Sequence, residues 1–450
     1  MRGAAGSGKT TSAALRLRKV LAGIGADRKT NIDVRPIRIL VLTFNRTLKG
    51  YVEQLVRAEV NAASTNAELT IDTFAGWACS LSEGNLDVIE YAARADVVGA
   101  YWAKFATPVI NSEFVAHEVD YVLGRFGRND LDNYLTAERV GRGMPTLPRA
   151  TRQTIIDRVI QPYFNYLGAR RLMDWNDLAD RVLSLGPSPT YDIVVADEVQ
   201  DFSAQQLRAV FGHVREPNSV TFVIDTAQSL YPRGIEWPEV GVNIGRAQRF
   251  RLEMNYRNTV QIARFAQPLL TGLKVSADGT LPDWKNCRNK EIGRTPEIIV
   301  GKFSEQITYA IDFINESGEV DLAEDSVGIL MLRGGEVLSY TKARLKAAKI
   351  KSCDLWRRKT WPGGSDNVGY TTLHSAKGLE FDHVFILGFN QEWLAHGKSA
   401  EDDDYQQLRR LLAMALTRAK KTVFIGYKPG QRSDLLDLFD SATYIERKLP

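Results

Sequence analysis

Residues 3–10 read Gly3-Ala4-Ala5-Gly6-Ser7-Gly8-Lys9-Thr10, and this octet decides the fold class. It fits the pattern G-x-x-x-x-G-K-[ST] in full. The glycines let backbone N–H groups turn inward around phosphate oxygens. The lysine reaches the β- and γ-phosphates, and the threonine hydroxyl holds Mg²⁺. The next residues, Thr10–Leu21, carry a helical pattern, so a positive helix N-terminus faces the same phosphates. ATP and Mg²⁺ are therefore the expected ligands, with Gly3, Ala4, Ala5, Gly6, Ser7, Gly8, Lys9, Thr10 and Thr11 as candidate nucleotide-binding residues.

Outward from the octet, short apolar runs read as buried parallel strands. They are Ile37–Thr43, Thr70–Phe74, Tyr191–Asp197 and Ser219–Asp225 in the first half. A second set comprises Pro296–Val300, Val327–Leu332, Tyr370–Leu373, Val384–Phe389 and Thr422–Tyr427. Helical patterns such as Ala204–Phe211 lie between strands, which predicts two α/β units. The aromatic-rich stretch from Leu81 to Leu185 reads as mostly helical, with a basic turn at Arg139–Pro148.

The chain has 450 residues, 44% hydrophobic and 25% charged, enough for several cores. Its apolar runs are strand-sized, so no membrane partner is expected. The cysteines Cys79, Cys287 and Cys353 form no CxxC pair, and the five histidines show no metal spacing. This usage fits a reducing, cytoplasmic setting. A net charge of +4 permits nucleic-acid binding without arguing for it. The acidic run Glu401–Asp404 lacks the glycine and ligand spacing of a cation site and reads as a solvated loop.

The other nucleotide signal is Val194-Val195-Ala196-Asp197-Glu198, an apolar strand ending in two carboxylates. Asp197 is placed to help hold Mg²⁺. Glu198 is the candidate general base for the attacking water.

At Asp197-Glu198-Val199-Gln200-Asp201 the chain resembles motif II of the UvrD/Rep-like superfamily 1 helicases. Further stretches resemble that family's motifs in order: Val41–Asn45 (Ia), Ile71–Phe74 (Ib), Asp225–Tyr231 (III), Leu252–Asn258 (IV), Thr372–Asp382 (V) and Arg410–Ala419 (VI). The resemblance runs from Gly3 to about Tyr427. It implies two RecA-like P-loop NTPase lobes with parallel sheets and a mostly helical insertion in the first lobe. Residues 1–80 and 186–248 would form the first lobe and 81–185 the insertion. Residues 249–450 would form the second lobe, with little or no further subdomain inserted.

The resemblance also implies roles. Gln228 and Gln200 would sense the γ-phosphate. Tyr256 would stack on adenine, and Glu380 would contact the ribose. Arg257 and Arg418 would reach the γ-phosphate from the second lobe. Phe44, Asn45, Thr73, Tyr231, Thr372 and His374 would touch single-stranded DNA, with RNA as the third reading. The implied activity is ATP-driven movement on single-stranded DNA, 3′ to 5′. The alternative is an ATP-controlled regulatory subunit that serves a partner such as a nuclease in DNA repair or phage defence.

Departures from the family are also legible. No feeding strand or adenine-reading glutamine motif precedes Gly3, which points to a truncated or mis-set start, or to a strand from another chain. The segment Thr259–Thr371 is short, as in compact relatives. Ile224 stands before Asp225 where glycine is usual, Trp237 is the candidate substitute for a base-stacking tryptophan, and Ala413 stands where tyrosine is common. Arg139–Arg149 and the cluster Arg357, Arg358 and Lys359 are candidate phosphate contacts, or simply solvated faces. No nuclease constellation follows motif VI.

Overall fold

In the computed structural model, the described residues are 1–3, 6–30, 35–43, 46–62, 66–82, 86–140, 142–215, 220–225, 236–242, 248–252, 254–273, 292–355, 367–394 and 402–450. The first lobe opens with β1 (Arg2–Gly3), α1 (Lys9–Thr30), β2 (Ile37–Thr43), α2 (Arg46–Ala62), β3 (Ala67–Thr73) and α3 (Phe74–Leu81). The segment 81–185 holds α4 (Tyr91–Trp102), α5 (Ser112–Phe126), α6 (Leu131–Tyr134), α7 (Arg149–Ile155), α8 (Gln161–Arg170) and α9 (Asp177–Leu185), the last of which packs in the first lobe's core rather than in that of the insertion. The chain then returns through β4 (Ile193–Ala196), α10 (Ala204–Gly212), β5 (Val220–Phe222) and β6 (Arg251–Leu252).

Strands pair in parallel in the order β3-β2-β4-β5. β2 shows why its sequence is a near-continuous apolar run. Ile37, Ile39 and Val41 face a core built with α1 and α2, while Leu40 and Leu42 face one built with α3, α9 and α10. A parallel strand covered on both faces needs apolar side chains at both parities.

The missing feeding strand is a correction. Arg2 and Gly3 form a short strand of their own. Met1 donates its amino group to Phe222 O (2.6 Å) and accepts from Ile224 N (2.9 Å), and Arg2 N donates to Phe250 O (2.8 Å). β1 also pairs in parallel with β6, so the ladder continues from β5 through β1 to β6. Two residues carry no periodicity, which is why the sequence did not reveal it.

The insertion has its own core around Val119, Tyr134, Val159 and Tyr163. Here the basic turn is spent inward rather than on phosphate. Arg139 clamps the buried Glu118 carboxylate with bonds of 2.9 and 2.7 Å, and Arg142 and the Tyr134 hydroxyl add bonds of 2.8 Å each. Burial opposes the Glu118 charge, but Arg142 and Arg139 outweigh it and hold the carboxyl below its usual range.

The second lobe comprises α11 (Val260–Ala266), β7 (Glu297–Val300), α12 (Phe303–Glu316), β8 (Val327–Met331), α13 (Glu336–Ala347) and β9 (Ser352–Asp354). It continues with β10 (Val368–Thr372), β11 (Phe381–Leu387), α14 (Asp403–Leu416), β12 (Ala419–Tyr427) and β13 (Ile445–Lys448). Among the described residues its strands form one parallel sheet, β13-β7-β12-β11-β8-β10-β9. Phe385 and Leu387 face one core; Val384 and Ile386 face the other. The molecule is thus α/β, with two RecA-like lobes and a helical insertion in the first.

The acidic run needs a second correction. Glu401 lies outside the described residues, but Asp402–Asp404 are not a solvated loop. Asp402 caps α14 by accepting from Tyr405 N at 3.0 Å, and Asp403 accepts from Gly143 N of the insertion at 2.6 Å. A carboxylate at a helix N-terminus completes orphan N–H groups, which explains the run. No helix of the described residues is long and apolar enough to cross a membrane.

Candidate nucleotide site in the cleft between the lobes

Of the octet, Gly3 ends β1, Gly6, Ser7 and Gly8 lie between β1 and α1, and Lys9 and Thr10 open α1. Gly6 and Gly8 both sit at φ of +73°, a conformation that glycine adopts freely. Ala4 and Ala5 lie outside the described residues. Thr11 is exposed on the first turn of α1. Lys9 Nζ donates to Gly3 O (3.0 Å) and to Asp225 Oδ2 (2.9 Å). Thr10 Oγ1 donates to Asp197 Oδ2 at 2.7 Å, which brings the two expected Mg²⁺ ligands together.

Asp197 and Glu198 leave the end of β4. Glu198 has a left-handed φ of +54°, uncommon for a side chain with a Cβ and typical of functional turns. Gln200 bridges this turn to Asp225: its Nε2 donates to Glu198 Oε2, and its Oε1 accepts from Asp225 N at 2.9 Å. Burial, then the Glu198 charge, push the Asp197 carboxyl up to about 6; Thr10 and Lys9 oppose that rise. A buried acid beside a second acid is a place where a divalent cation relieves repulsion.

Across the cleft, the backbone N–H of Tyr256 donates to Gly6 O at 2.9 Å, docking that segment on the phosphate loop. The Tyr256 ring is 67% exposed beside it, free to offer a face to a flat ligand. Arg257 pairs with Glu380, so the structure gives Glu380 an ionic partner in addition to any ribose. Arg418 is buried, with Nε on Met414 O (3.1 Å) and Nη1 on Leu379 O (3.3 Å). Burial and the neighbouring Arg257 lower its pKa to about 10, which leaves it charged at neutral pH.

Two buried polar atoms in this cleft have no hydrogen-bond partner, Ser7 Oγ and Arg257 Nη1. Such atoms are costly unless a ligand completes them. With Lys9 and the N–H groups that open α1, they fit a phosphate chain.

Sequence reading missed Asn255 and Asn258, both buried, which link the backbone at Arg257 to the backbone beside Arg418. Their only signal is an N-x-x-N spacing that has meaning once the lobes are folded together. It also missed Lys377–Asp201, a buried ion pair joining the two lobes.

The nucleic-acid candidates fare differently. Phe44, Asn45, Gln228 and Tyr231 lie outside the described residues, as do Arg357, Arg358 and Lys359. Thr73 caps α3, accepting from Gly76 N at 3.1 Å, and Phe74 packs in the core against Trp77 and Phe202. Trp237 is half-buried against Phe222, at 5.7 Å between ring centroids. Thr372 accepts from Ser375 N at 3.3 Å, and its hydroxyl donates to Ser375 Oγ at 3.0 Å. His374 has His117 of the insertion and Lys377 nearby; desolvation, then these neighbours, lower its pKa. A cavity of about 520 Å³, walled by Phe303, Tyr340 and Trp393 with Arg333 and Lys428, opens at the C-terminal ends of β8 and β11. Its lining includes Met331, the register partner of Thr372.

Comparison with known proteins follows the second lobe. Residues 345–429 match the family model of the UvrD-like helicase C-terminal domain. The ATP-dependent DNA helicase Rep of Buchnera aphidicola subsp. Acyrthosiphon pisum is 41% identical over 83 residues, 18% of this chain and 13% of that protein. The ATP-dependent DNA helicase PcrA of Bacillus subtilis is 38% identical over 64 residues, 14% of this chain and 9% of that protein. The matched region thus spans a small part of these relatives' length. A solved structure, the C-terminal domain of a possible DNA helicase from Lactobacillus plantarum, is 22% identical; the match covers 42% of this chain and 98% of that one, with a TM-score of 0.29.

Proposed function

We propose that this chain, related through its second lobe to the UvrD/Rep-like superfamily 1 helicases, is an ATP-driven translocase or helicase on single-stranded DNA. The observation that carries the reading is the juxtaposition across one cleft. Lys9, Thr10, Asp197 and Glu198 of the first lobe face a second lobe that holds Arg418 close to Glu198 and Asp225, with Arg257 beside it and against Gly6 of the loop. That is the arrangement phosphoryl transfer to water needs: a positioned base, cations on the developing charge, and closure that excludes solvent.

In this reading Lys9 and the loop N–H groups hold the phosphates. Glu198 takes the proton from the attacking water. Arg257 and Arg418 stabilise the transition-state charge, and Tyr256 stacks on the base. Thr10 and Asp197 would hold Mg²⁺, which when bound draws charge off the phosphate oxygens. Gln200 relays between Glu198 and Asp225; Gln228 is proposed as a further γ-phosphate sensor. The site needs both lobes, so closing and opening can be tied to steps along a strand.

The strand would pass Phe44, Asn45, Thr73, Tyr231, Thr372 and His374, with the aromatic cavity at Trp393 offering a place for a base. Movement 3′ to 5′, DNA over RNA and a cytoplasmic location belong to the same proposal, as do the domain limits 1–80 with 186–248, 81–185 and 249–450, except that β6 pairs with β1 of the first lobe, so the second lobe begins after Leu252 rather than at residue 249. A second reading rests on one observation. Adjacent strands β9 and β10 are joined by residues 355–367 alone, where no large subdomain can be inserted. That favours a switch that binds ATP and a nuclease or repair partner without processive unwinding.

The test is ATP hydrolysis with and without oligo-dT, with Lys9→Ala as the blank. Stimulation by the strand that Lys9→Ala abolishes supports the motor. Hydrolysis indifferent to DNA overturns it in favour of the switch.

A further inference from the structure

The two candidate arginines lie on segments far apart in the chain, yet one pair of asparagines touches the backbone of both. Asn255 Oδ1 accepts from Arg257 N at 2.9 Å and from Asn258 N at 3.2 Å. Asn255 Nδ2 donates to Asn258 Oδ1 at 2.8 Å. Asn258 Nδ2 in turn donates to Thr417 O (3.1 Å) and Ala419 O (2.5 Å), the carbonyls on either side of Arg418. Arg418 O itself accepts from Phe381 N at 2.9 Å, so the backbone here is held from both sides.

The pair also touches the phosphate loop. A Cβ at Gly6 would meet Asn255 Oδ1 at 2.6 Å, so loop and amide are in close contact. Both asparagines are buried, 1% and 0% exposed. Buried amides with these bonds made are rigid connectors, because any rotation strands a donor or an acceptor.

We propose that Asn255 and Asn258 are positioning residues for hydrolysis: a buried amide relay that sets Arg257 and Arg418 together against the phosphate loop. The relay rests on the ATPase reading above and adds to it a physical link between the two arginines. It works through backbone rather than charge. A shift of the loop on nucleotide binding moves Asn255, Asn255 moves Asn258, and Asn258 moves the turn that carries Arg418. Asparagine suits the task because it donates at one end and accepts at the other, without a charge to desolvate.

The experiment compares the full chain with Asn258→Ser, Arg418→Ala and the double variant. Steady-state hydrolysis, affinity for a non-hydrolysable ATP analogue and thermal midpoint are measured together. The expected result for Asn258→Ser is a kcat lowered about 30-fold, with analogue affinity changed by less than about threefold. In the Arg418→Ala background the same change should lower kcat by less than about twofold, since the arginine it positions is gone. An undiminished kcat in Asn258→Ser, or full additivity with Arg418→Ala, overturns the relay. If Arg418→Ala alone leaves hydrolysis intact, it is the arginine's role in the ATPase reading that fails, which is a distinct outcome. Should Asn258→Ser not fold, Asn255→Asp serves. It keeps an acceptor for Arg257 N and Asn258 N but sets a carboxylate oxygen against Asn258 Oδ1, which breaks the link between the two amides, so the same loss of kcat is expected. Full activity in that variant overturns the proposal.

Discussion

Lys377 of the second lobe is ion-paired with Asp201 of the first, and both side chains are almost wholly buried. Asp201 ends the turn that begins with Asp197 and Glu198; Lys377 lies between His374 and Glu380. The pair therefore joins the turn proposed to carry the general base to the segment proposed to touch the strand. Removing one partner of a buried pair leaves the other charge desolvated, at a cost of about 3–5 kcal/mol. Lys377→Met is expected to destabilise by about that much in urea unfolding. Adding Asp201→Leu should recover most of the loss. A single variant as stable as the parent would show the pair to be solvated.

Asp197 makes stability and activity pull in opposite directions. Its folded pKa, about 6, lies above the usual carboxylate value, chiefly through burial and then through Glu198. The folded state thus binds the proton more tightly than the unfolded chain. That contribution to stability is full at acidic pH and is lost as pH rises through about 6. Asp197→Asn is expected to raise the thermal midpoint of the nucleotide-free protein at pH 8 while abolishing hydrolysis. The gain should vanish at pH 4, where the parent carboxyl is protonated too. A midpoint that falls at pH 8 would refute this account.

The sequence was most informative where one local rule suffices. The octet at 3–10 needs only its glycines, lysine and threonine to announce a phosphate loop. Ile37–Thr43 is apolar at both parities and so is a strand covered on both faces, with limits that match β2. Strands made by pairing rather than by pattern were not legible. β1 is two residues long, Ser352–Asp354 is short and polar, and Ile445–Lys448 is exposed throughout. Tertiary partners were equally hidden. Arg139 reads as a solvated base until α5 brings Glu118 to it. Asn258 lies in the motif IV stretch but has no role of its own there until the turn from α14 into β12 presents the Thr417 and Ala419 carbonyls. Nothing in local spacing encodes either meeting.

The aromatic cavity gives the nucleic-acid reading a test within the described residues. Arg333 lies 4.2 Å over the Trp393 ring, which is 41% exposed. A base stacked on such a ring contributes about 1–3 kcal/mol, so Trp393→Ala should weaken oligo-dT binding about tenfold. Because tryptophan carries no charge, the dependence of binding on salt should not change. Lys428→Ala, at the same cavity, should instead reduce the salt slope by about 0.7, the loss of one phosphate contact on a single strand. Fluorescence anisotropy over a range of salt separates the two effects. Equal slopes for all three proteins would place the strand elsewhere.

Gly6 and Gly8 share a φ of +73° but differ in surroundings, which predicts unequal consequences for the same substitution. At Gly8 an added Cβ meets nothing within 4 Å, so Gly8→Ala bears mainly the left-handed backbone strain, about 1–2 kcal/mol. At Gly6 the Cβ would lie 2.5 Å from Arg257 Cβ and 2.6 Å from Asn255 Oδ1, beyond the same backbone strain. Something must move, and what moves is the segment carrying Tyr256 and Arg257. Gly6→Ala should therefore lower nucleotide affinity and kcat together. Gly8→Ala should act chiefly on stability and binding, with kcat affected far less. If the two variants prove equally harmful to kcat at saturating ATP, the close packing of the loop on the second lobe is not what positions the arginines. Hydrolysis measured across ATP concentrations at one temperature, below both midpoints, decides between them.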